Sequence, residues 1–375
     1  MDSKRIRFKE LEILNSNDRR KYLDAIERVY MHGRFILGPE IDELEELLAE
    51  MTQRRYCVTV SSGTLALLIS LLSLSKKNPS KKEVILPAYG WIASANAIKA
   101  AGLIPVFADV DNEFFIDPIS VDKLITNETL AVMPVDFTGR IGAKVYDLHI
   151  LCTRHSLPII EDCAQAFGAW NSNNDERKLF NSGKCGEISC LSINPMKTLA
   201  SHGEGGAILT DNPDIASFAR RYRYQGMEGG SYVSEGLNAR METLQAAIVL
   251  ENLSIYENII STKRSIATAF NKAFCQYCNV PWESENEQHT YFSYQLVTPK
   301  RDELKNYLIE SGIEVQIQHQ PLMCDTAPYQ GAKRSKLKNA TRLSSQSLCL
   351  PCHEKLKPEE IDHIINKVQE FFVNS

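Results

Sequence analysis

The residues of this chain that could do chemistry stand in short segments that follow apolar runs. Lys197 lies in SINPMKTLASHGEGGAIL, between two apolar runs and ahead of a glycine-rich turn. A lysine held there away from bulk water loses solvation of its charged form, so its pKa falls and its amine becomes a nucleophile. The plain alternative is a solvated loop lysine. Asp162 ends the run LPIIED. A carboxylate at the rim of an apolar strand is costly unless a cation or N–H group meets it. A protonated ring nitrogen would be such a partner, although the Glu161–Asp162 pair would equally serve to cap a following helix. SSGT at 61–64 opens a helix directly after a strand. Its free N–H groups, with the Ser62 and Thr64 hydroxyls, suit a phosphate; simple N-capping uses the same residues. Trp91, in PAYGWIASANA, offers an indole that stacks on a flat ring or packs as an ordinary core side chain.

These positions need rigid elements behind them. EVILPA (83–88), IPVFADV (104–110), LAVMPVDF (130–137), LPIIED (157–162), EISCLSI (187–193) and GGAILT (205–210) read as buried strands, with YCVTV (56–60) before them. Helical spacing separates them at 64–74, 91–101 and 143–155. This rhythm indicates an α/β fold with a mostly parallel sheet covered on both faces. Ligands in such sheets gather beyond the carboxyl ends of the strands, where all the segments above lie. Two helices precede the sheet, at 17–31 with Ser16 or Asn17 as cap and at 40–53. From 238 the pattern changes: a long helix over 240–276, a β-type run TYFSYQLV at 290–297, a helix at 301–311, the segment GIEVQIQ and a last helix from Pro358. The expected division is a large domain, 1–255, and a smaller α+β domain, 256–375.

Composition removes several function classes. The chain has 375 residues and a formal net charge of −5, which argues against a nucleic-acid footprint. Its most apolar stretch, LALLISLLSL, spans ten residues, against ~20 for a membrane helix. The first residues, MDSKRIRFKELE, are charged and lack a secretory apolar core, so the expectation is a cytoplasmic protein without membrane or nucleic-acid partners. The two CxxC pairs, Cys275–Cys278 and Cys349–Cys352, stand too far apart for a zinc ribbon. CLPCH through His353 matches a c-type haem site only formally. Reduced, mostly buried cysteines and no metal are expected.

Each segment is a weak signal alone, but their order is specific. SSGT, PAYGWIASANAI, VMPVDFTG, IIEDCAQAFGA, LSINPMKTLASHGEGGAILT and GLNARMETLQAAIVLENL follow one another over about 190 residues. In this the chain resembles the DegT/DnrJ/StrS family of sugar aminotransferases, which depend on pyridoxal 5′-phosphate (PLP). The resemblance runs from GPEIDELEELLA (38–49) to LPCHEKLKPEEI (350–361). It implies the fold-type I aminotransferase architecture, with a seven-stranded-type sheet between helices. It implies that Lys197 holds PLP as a Schiff base and that Asp162 pairs with the pyridine nitrogen. Gln165 would approach the ring hydroxyl and Trp91 would stack on the ring. Ser62, Gly63, Thr64 and Ser192 would cradle the phosphate. Asn238 would reach the phosphate of a neighbouring subunit, which implies a homodimer with shared sites.

The resemblance further implies a ping-pong exchange with L-glutamate and 2-oxoglutarate as the donor pair. The acceptor would be a keto- or aldehydo-sugar, nucleotide-linked, in amino-sugar or lipopolysaccharide biosynthesis. An unlinked sugar acid, such as an oxidised 3-deoxy-octulosonate aminated to an 8-amino sugar, is the alternative; a non-catalytic regulatory relative is a further one. Arg240 and Arg223 are candidates for the donor carboxylates. Leu237 stands where the family commonly has tyrosine, and VQIQHQPLM (315–323) replaces a tyrosine-rich segment, which places His319 at the substrate pocket or on the surface. Relatives with histidine at the lysine position dehydrate sugars instead; Lys197 favours transamination.

Overall fold

The computed structural model describes residues 5–172 and 180–374. Helix α1 (Ser16–His32) is capped by Asn15, one residue ahead of the expected caps. The Asn15 side chain accepts from the N–H groups of Asn17 (2.8 Å) and Asp18 (3.3 Å). Gly33, at φ 68°, ends the helix. Helix α2 (Pro39–Met51) opens on proline and buries Ile41, Leu44 and Leu48.

The sheet is built from β1 (Tyr56–Val60), β2 (Glu83–Pro87), β3 (Ile104–Ala108), β4 (Thr129–Val132), β5 (Ile160–Asp162), β8 (Ile188–Ser192) and β9 (Gly206–Thr210). The short strands β6 (Trp170–Asn171) and β7 (Phe180–Asn181) lie outside it. The hydrogen-bonded orders are β3-β2-β4 and β5-β8-β9-β1. Parallel bridges Val132–Ile159 and Val135–Asp162 join the two. The layer therefore runs β3-β2-β4-β5-β8-β9-β1. Only β9 is antiparallel to its neighbours, β8 and β1.

Alternate residues of these strands enter different cores. Val58, Val60, Cys190 and Ile208 pack under α3 (Gly63–Lys77) with Ile69 and Leu71. Cys57, Leu191 and Leu209 pack beneath α2 with Leu44 and Leu48, and beneath α8 (Thr243–Leu253) with Val249. Both faces are thus covered, as a parallel sheet requires. The remaining layer helices are α4 (Ala93–Ala100), α5 (Pro118–Asp122), α6 (Val145–Arg154) and α7 (Pro213–Tyr222).

Beyond the sheet come the exposed hairpin β10 (Met227–Glu228)–β11 (Ser231–Tyr232), α8 (Thr243–Leu253) and α9 (Tyr256–Phe274). The expected continuous helix over 240–276 is broken at Ser254–Ile255. Asn252 and Ser254 carry the reason: their side chains bond to the carbonyls of Ala200 and Glu251, a competition with helix that these residue types favour. The break turns Tyr256 inward, where its hydroxyl donates to Phe167 O at 2.6 Å.

The C-terminal part holds β12 (Glu287–Gln288), β13 (Tyr294–Val297), α10 (Arg301–Glu310), α11 (Lys338–Gln346), β14 (Ser347–Leu350) and α12 (Pro358–Asn374). Antiparallel β13 and β14 share a core of Phe270, Phe274, Leu304, Leu308, Ile364 and Val368. Ile6 joins that core and bridges Ile313, so the N-terminal residues return to the end of the chain. GIEVQIQ forms no strand beyond single bridges at Ile313 and Gln316. The run expected at 290–297 begins only at Tyr294, because Thr290 and Ser293 donate their N–H groups to Gly139 and Thr138 instead. All ten cysteines are free. Among the described residues no helix is long and apolar enough to cross a membrane.

Candidate active site

The sequence-predicted residues meet at the carboxyl ends of the central strands. Asp162 ends β5 and is 5% exposed. Its Oδ2 accepts from Ser94 Oγ at 2.7 Å and its Oδ1 from the Ala164 N–H at 3.2 Å. It forms no ion pair among the described residues. Burial pushes its pKa up, and the Ser94 hydrogen bond and Lys197 charge oppose that rise. A buried carboxylate left in this state is a strong acceptor site for a charged N–H group.

Lys197 sits in the turn between β8 and β9. That turn is pinned by Lys197 N–H to Asn194 O (2.9 Å), Ser201 Oγ to Ile193 O (2.6 Å) and Asn194 Nδ2 to Glu204 Oε1 (2.8 Å). The Lys197 amine lies 4.9 Å from the centre of the Phe292 ring and has no carboxylate at ion-pair distance among the described residues. Burial lowers its pKa, against the pull of Asp162 and Glu204. A lysine with a lowered pKa and no fixed counter-charge suits nucleophilic and general-base work.

Phe292 is placed by the diverted 290–293 segment. Gly139, at φ 99°, makes this approach possible: a Cβ there would lie 2.4 Å from Thr290 Oγ1 and 2.7 Å from Phe292 N. The adjacent Thr138 (φ 64°) donates its N–H to Gln165 Oε1 at 2.9 Å, which leaves the Gln165 amide nitrogen without a partner among the described residues. Half-buried Arg140 makes a bidentate pair with buried Glu287 (2.7 and 2.8 Å) and locks the same segment.

At the other edge, Ser62 caps α3 by accepting from the Leu65 N–H at 3.2 Å. Gly63 packs on the end of β8 so closely that a Cβ would lie 2.6 Å from Ser192 Cβ. Thr64 is exposed beside them. A helix N-terminus with serine and threonine hydroxyls around it is an anion cradle. Gln165, Ser192 and Lys197 line one small recess.

Trp91 follows β2 and is 63% exposed, which excludes the reading as a core tryptophan. His319 stands beside it, with ring centres 6.3 Å apart, and packs on Phe137 at 4.7 Å and Tyr89 at 5.4 Å. Burial pulls His319 down to about 4, with the Gly90 backbone opposing and Lys197 adding to the fall. It is half-buried in this aromatic wall beside Trp91, and burial favours its neutral form.

Three candidates stand elsewhere. Arg223 is buried against Glu45, and it also donates to Thr59 O at 2.7 Å, where it ties α2 to β1. These contacts, all through Nη1, commit the buried Arg223 to a structural tie away from Lys197. Asn238 and Arg240 lie in an exposed segment; Arg240 donates to Asn238 Oδ1 at 2.9 and 3.1 Å and stacks on Tyr224.

The structure adds residues that the sequence did not single out. Ser94 fixes Asp162, Thr138 fixes Gln165, and Phe292 walls Lys197. Ser94 and Thr138 lie in the quoted blocks PAYGWIASANAI and VMPVDFTG; Phe292 carries no local signal. Asp136, Glu161 and Cys185 place one ligand-type atom each within 4.8 Å of one another. Glu161 already accepts from the Gly183 and Cys185 N–H groups, and burial together with Glu161 raises the Asp136 pKa, which favours a shared proton over a bound cation.

Comparison with known proteins speaks to the family and the fold. The model of the DegT/DnrJ/EryC1/StrS aminotransferase family matches residues 16–369. The UDP-2-acetamido-2-deoxy-3-oxo-D-glucuronate aminotransferase of Pseudomonas aeruginosa is 30% identical over 359 residues, covering 95% of this chain and 97% of that protein. GDP-perosamine synthase of Escherichia coli O157:H7 is 33% identical over 342 residues, covering 89% and 91%. The crystal structure of S. venezuelae DesV in complex with a ketimine intermediate superposes with a TM-score of 0.91 at 28% identity, covering 98% of this chain and 99% of that one. With the fold, the placed lysine–aspartate pair and the match over nearly its full length, the chain belongs to the DegT/DnrJ/EryC1/StrS aminotransferase family.

Proposed function

We propose that this protein transfers an amino group from L-glutamate to the carbonyl of a nucleotide-linked keto-sugar, with PLP held at Lys197. The observation that carries the reading is Asp162: a buried carboxylate fixed by Ser94, without an ion-pair partner among the described residues and within electrostatic reach of a lysine equally unpaired among them. The residues fit the cofactor: Gly63 lets the start of α3 pack directly on Ser192, which sets the Ser62, Thr64 and Ser192 hydroxyls around free helix N–H groups suited to a phosphate. When bound, PLP supplies an electron sink that labilises the bonds at the amine-bearing carbon.

The chain's own groups then divide the work. Asp162 keeps a ring nitrogen protonated. The Gln165 amide nitrogen is free to donate to a ring hydroxyl. Lys197, whose amine burial makes easier to deprotonate, takes the proton from one carbon and returns it to another. Trp91 offers its exposed face to the ring. Neutral His319, held in an aromatic wall, offers a hydrogen bond to the acceptor without adding charge. The relatives named above act on nucleotide-linked sugars by their names, which supports that acceptor; a place in amino-sugar or lipopolysaccharide biosynthesis in the cytoplasm is part of the same proposal.

Mixing purified protein and PLP with L-glutamate should shift the visible absorption of the bound cofactor. Candidate nucleotide-linked amino sugars offered with 2-oxoglutarate should then release glutamate. Absence of any spectral change with glutamate or other amino donors would overturn the reading.

The exposed hairpin β10–β11, with Tyr232 at 73% and Val233 at 54% exposed, and the outward-lying Asn238 support a dimer with shared sites. Dimers mixed from Lys197→Ala and Asn238→Ala chains should regain about a quarter of wild-type activity by random pairing. No regain above the separate variants would contradict the sharing.

A further inference from the structure

Behind the Lys197 turn lies a cleft of about 480 Å³. It is lined by the N-terminal segment, by α1, α8 and α9, and by the loop after β14. Three amines converge there. Lys9 donates to Met196 O, the residue before Lys197, and its amine lies 4.4 Å from the centre of the Phe292 ring that Lys197 also faces. The N-terminal segment that carries Lys9 is fixed by the Ile6–Ile313 bridge and by Phe8 N–H to Glu314 Oε2 at 3.0 Å. Lys263, on α9, is 4% exposed and makes no hydrogen bond or ion pair through its amine among the described residues. The imidazole of His353 uses Nε2 on Arg7 O at 3.2 Å, while its buried Nδ1 has no partner.

Among the described residues the charges here do not balance. None of Lys9, Lys197 and Lys263 has a carboxylate at ion-pair distance among the described residues. The cleft's acids are engaged elsewhere or stand at the rim: Glu12 pairs with Arg7, Glu251 with Arg28 and Asp18 with Lys21. Glu10 and Glu354 pair with none of the three, although Glu354 is close enough to be felt by Lys9 and Lys263. Burial, then Lys263, then Lys197 pull Lys9 down to about 7. Burying like charges together without a counter-charge is unfavourable, and an anion placed among them removes that cost.

We propose that Lys9 and Lys263 form a subsite for an anionic oxygen group, a carboxylate or a phosphate, of a substrate whose reacting end lies at Lys197. His353 Nδ1, a lone-pair acceptor when Nε2–H donates to Arg7 O, takes a hydroxyl or amino hydrogen beside that group. The subsite rests on Lys197 as the reactive amine. It gives the N-terminal segment a substrate-binding role. The carboxylate source is the dicarboxylate donor; the phosphate source is the sugar substrate.

The test is competitive acetylation of the PLP-loaded protein at neutral pH with a trace of acetic anhydride, read by peptide mass spectrometry. Lys9 should label ahead of exposed Lys355. A bound anion raises the Lys9 pKa, and a one-unit rise cuts its free-base fraction by up to about tenfold. Inorganic phosphate and 2-oxoglutarate are the probes, with chloride at equal ionic strength as reference. Selective protection by phosphate assigns the site to a phosphate-bearing substrate; selective protection by 2-oxoglutarate assigns it to the donor. Equal Lys9 labelling in all three overturns the proposal, as does undiminished protection in Lys263→Met or Lys263→Gln. Protection in a protein that never reacts with glutamate would refute the aminotransferase reading and keep the anion site. Glutamate reactivity without protection would do the reverse.

Discussion

Lys197→Ala should lower turnover by at least about 10⁴-fold, because one substitution removes both the nucleophile and the proton carrier. The loop should survive the change. Its geometry rests on Asn194, Ser201 and Glu204 and not on the lysine side chain, whose amine makes no hydrogen bond to the chain among the described residues. Circular dichroism should therefore match the wild type. PLP should still bind through the Ser62–Ser192 cradle and Asp162, but release freely on dialysis. Steady-state turnover within about tenfold of wild type would remove Lys197 from the chemistry.

Asp162→Asn should cost on the order of 10³-fold in kcat with a smaller change in KM, the pattern of a lost charge that matters chiefly in the transition state. Asparagine keeps the size of the side chain and can still accept from Ser94, so a packing defect is not the cause. Stability should move the other way. A carboxylate with a raised folded pKa keeps its proton longer folded than unfolded, so stability falls as pH rises from its ordinary value through the raised one. At pH 7, cofactor-free Asp162→Asn is spared the burial of an ionised group and should melt no lower than wild type. A near-normal kcat, measured at saturating substrates, would refute the pairing with a ring nitrogen.

The sheet was legible because its strands are buried on both faces and read as continuous apolar runs. The same runs located the site, since ligand-binding turns follow them. Lys197, Asp162, Gln165, Ser62, Gly63 and Ser192 come together as that rule implies. What the sequence hid was decided by distant partners. Residues 290–293 have β-type composition, yet Gly139 and Thr138 capture their backbone and turn Phe292 toward Lys197. Asn252 and Ser254 interrupt an otherwise helical run through side-chain bonds to carbonyls. Arg223 shares a neighbourhood in sequence with the site, but Glu45, 178 residues away, holds it. Lys9 reads as one more charge in RIRFKELE; only the fold brings it to Met196 O and the Phe292 ring.

The central claim is that the reactive amine is that of Lys197. Borohydride reduction of the PLP-loaded protein, followed by peptide mass spectrometry, tests it most directly. The account predicts one pyridoxyl phosphate mass per chain, on the peptide containing Lys197. The same mass on Lys9, Lys263 or any other residue, or no adduct at all, would contradict it.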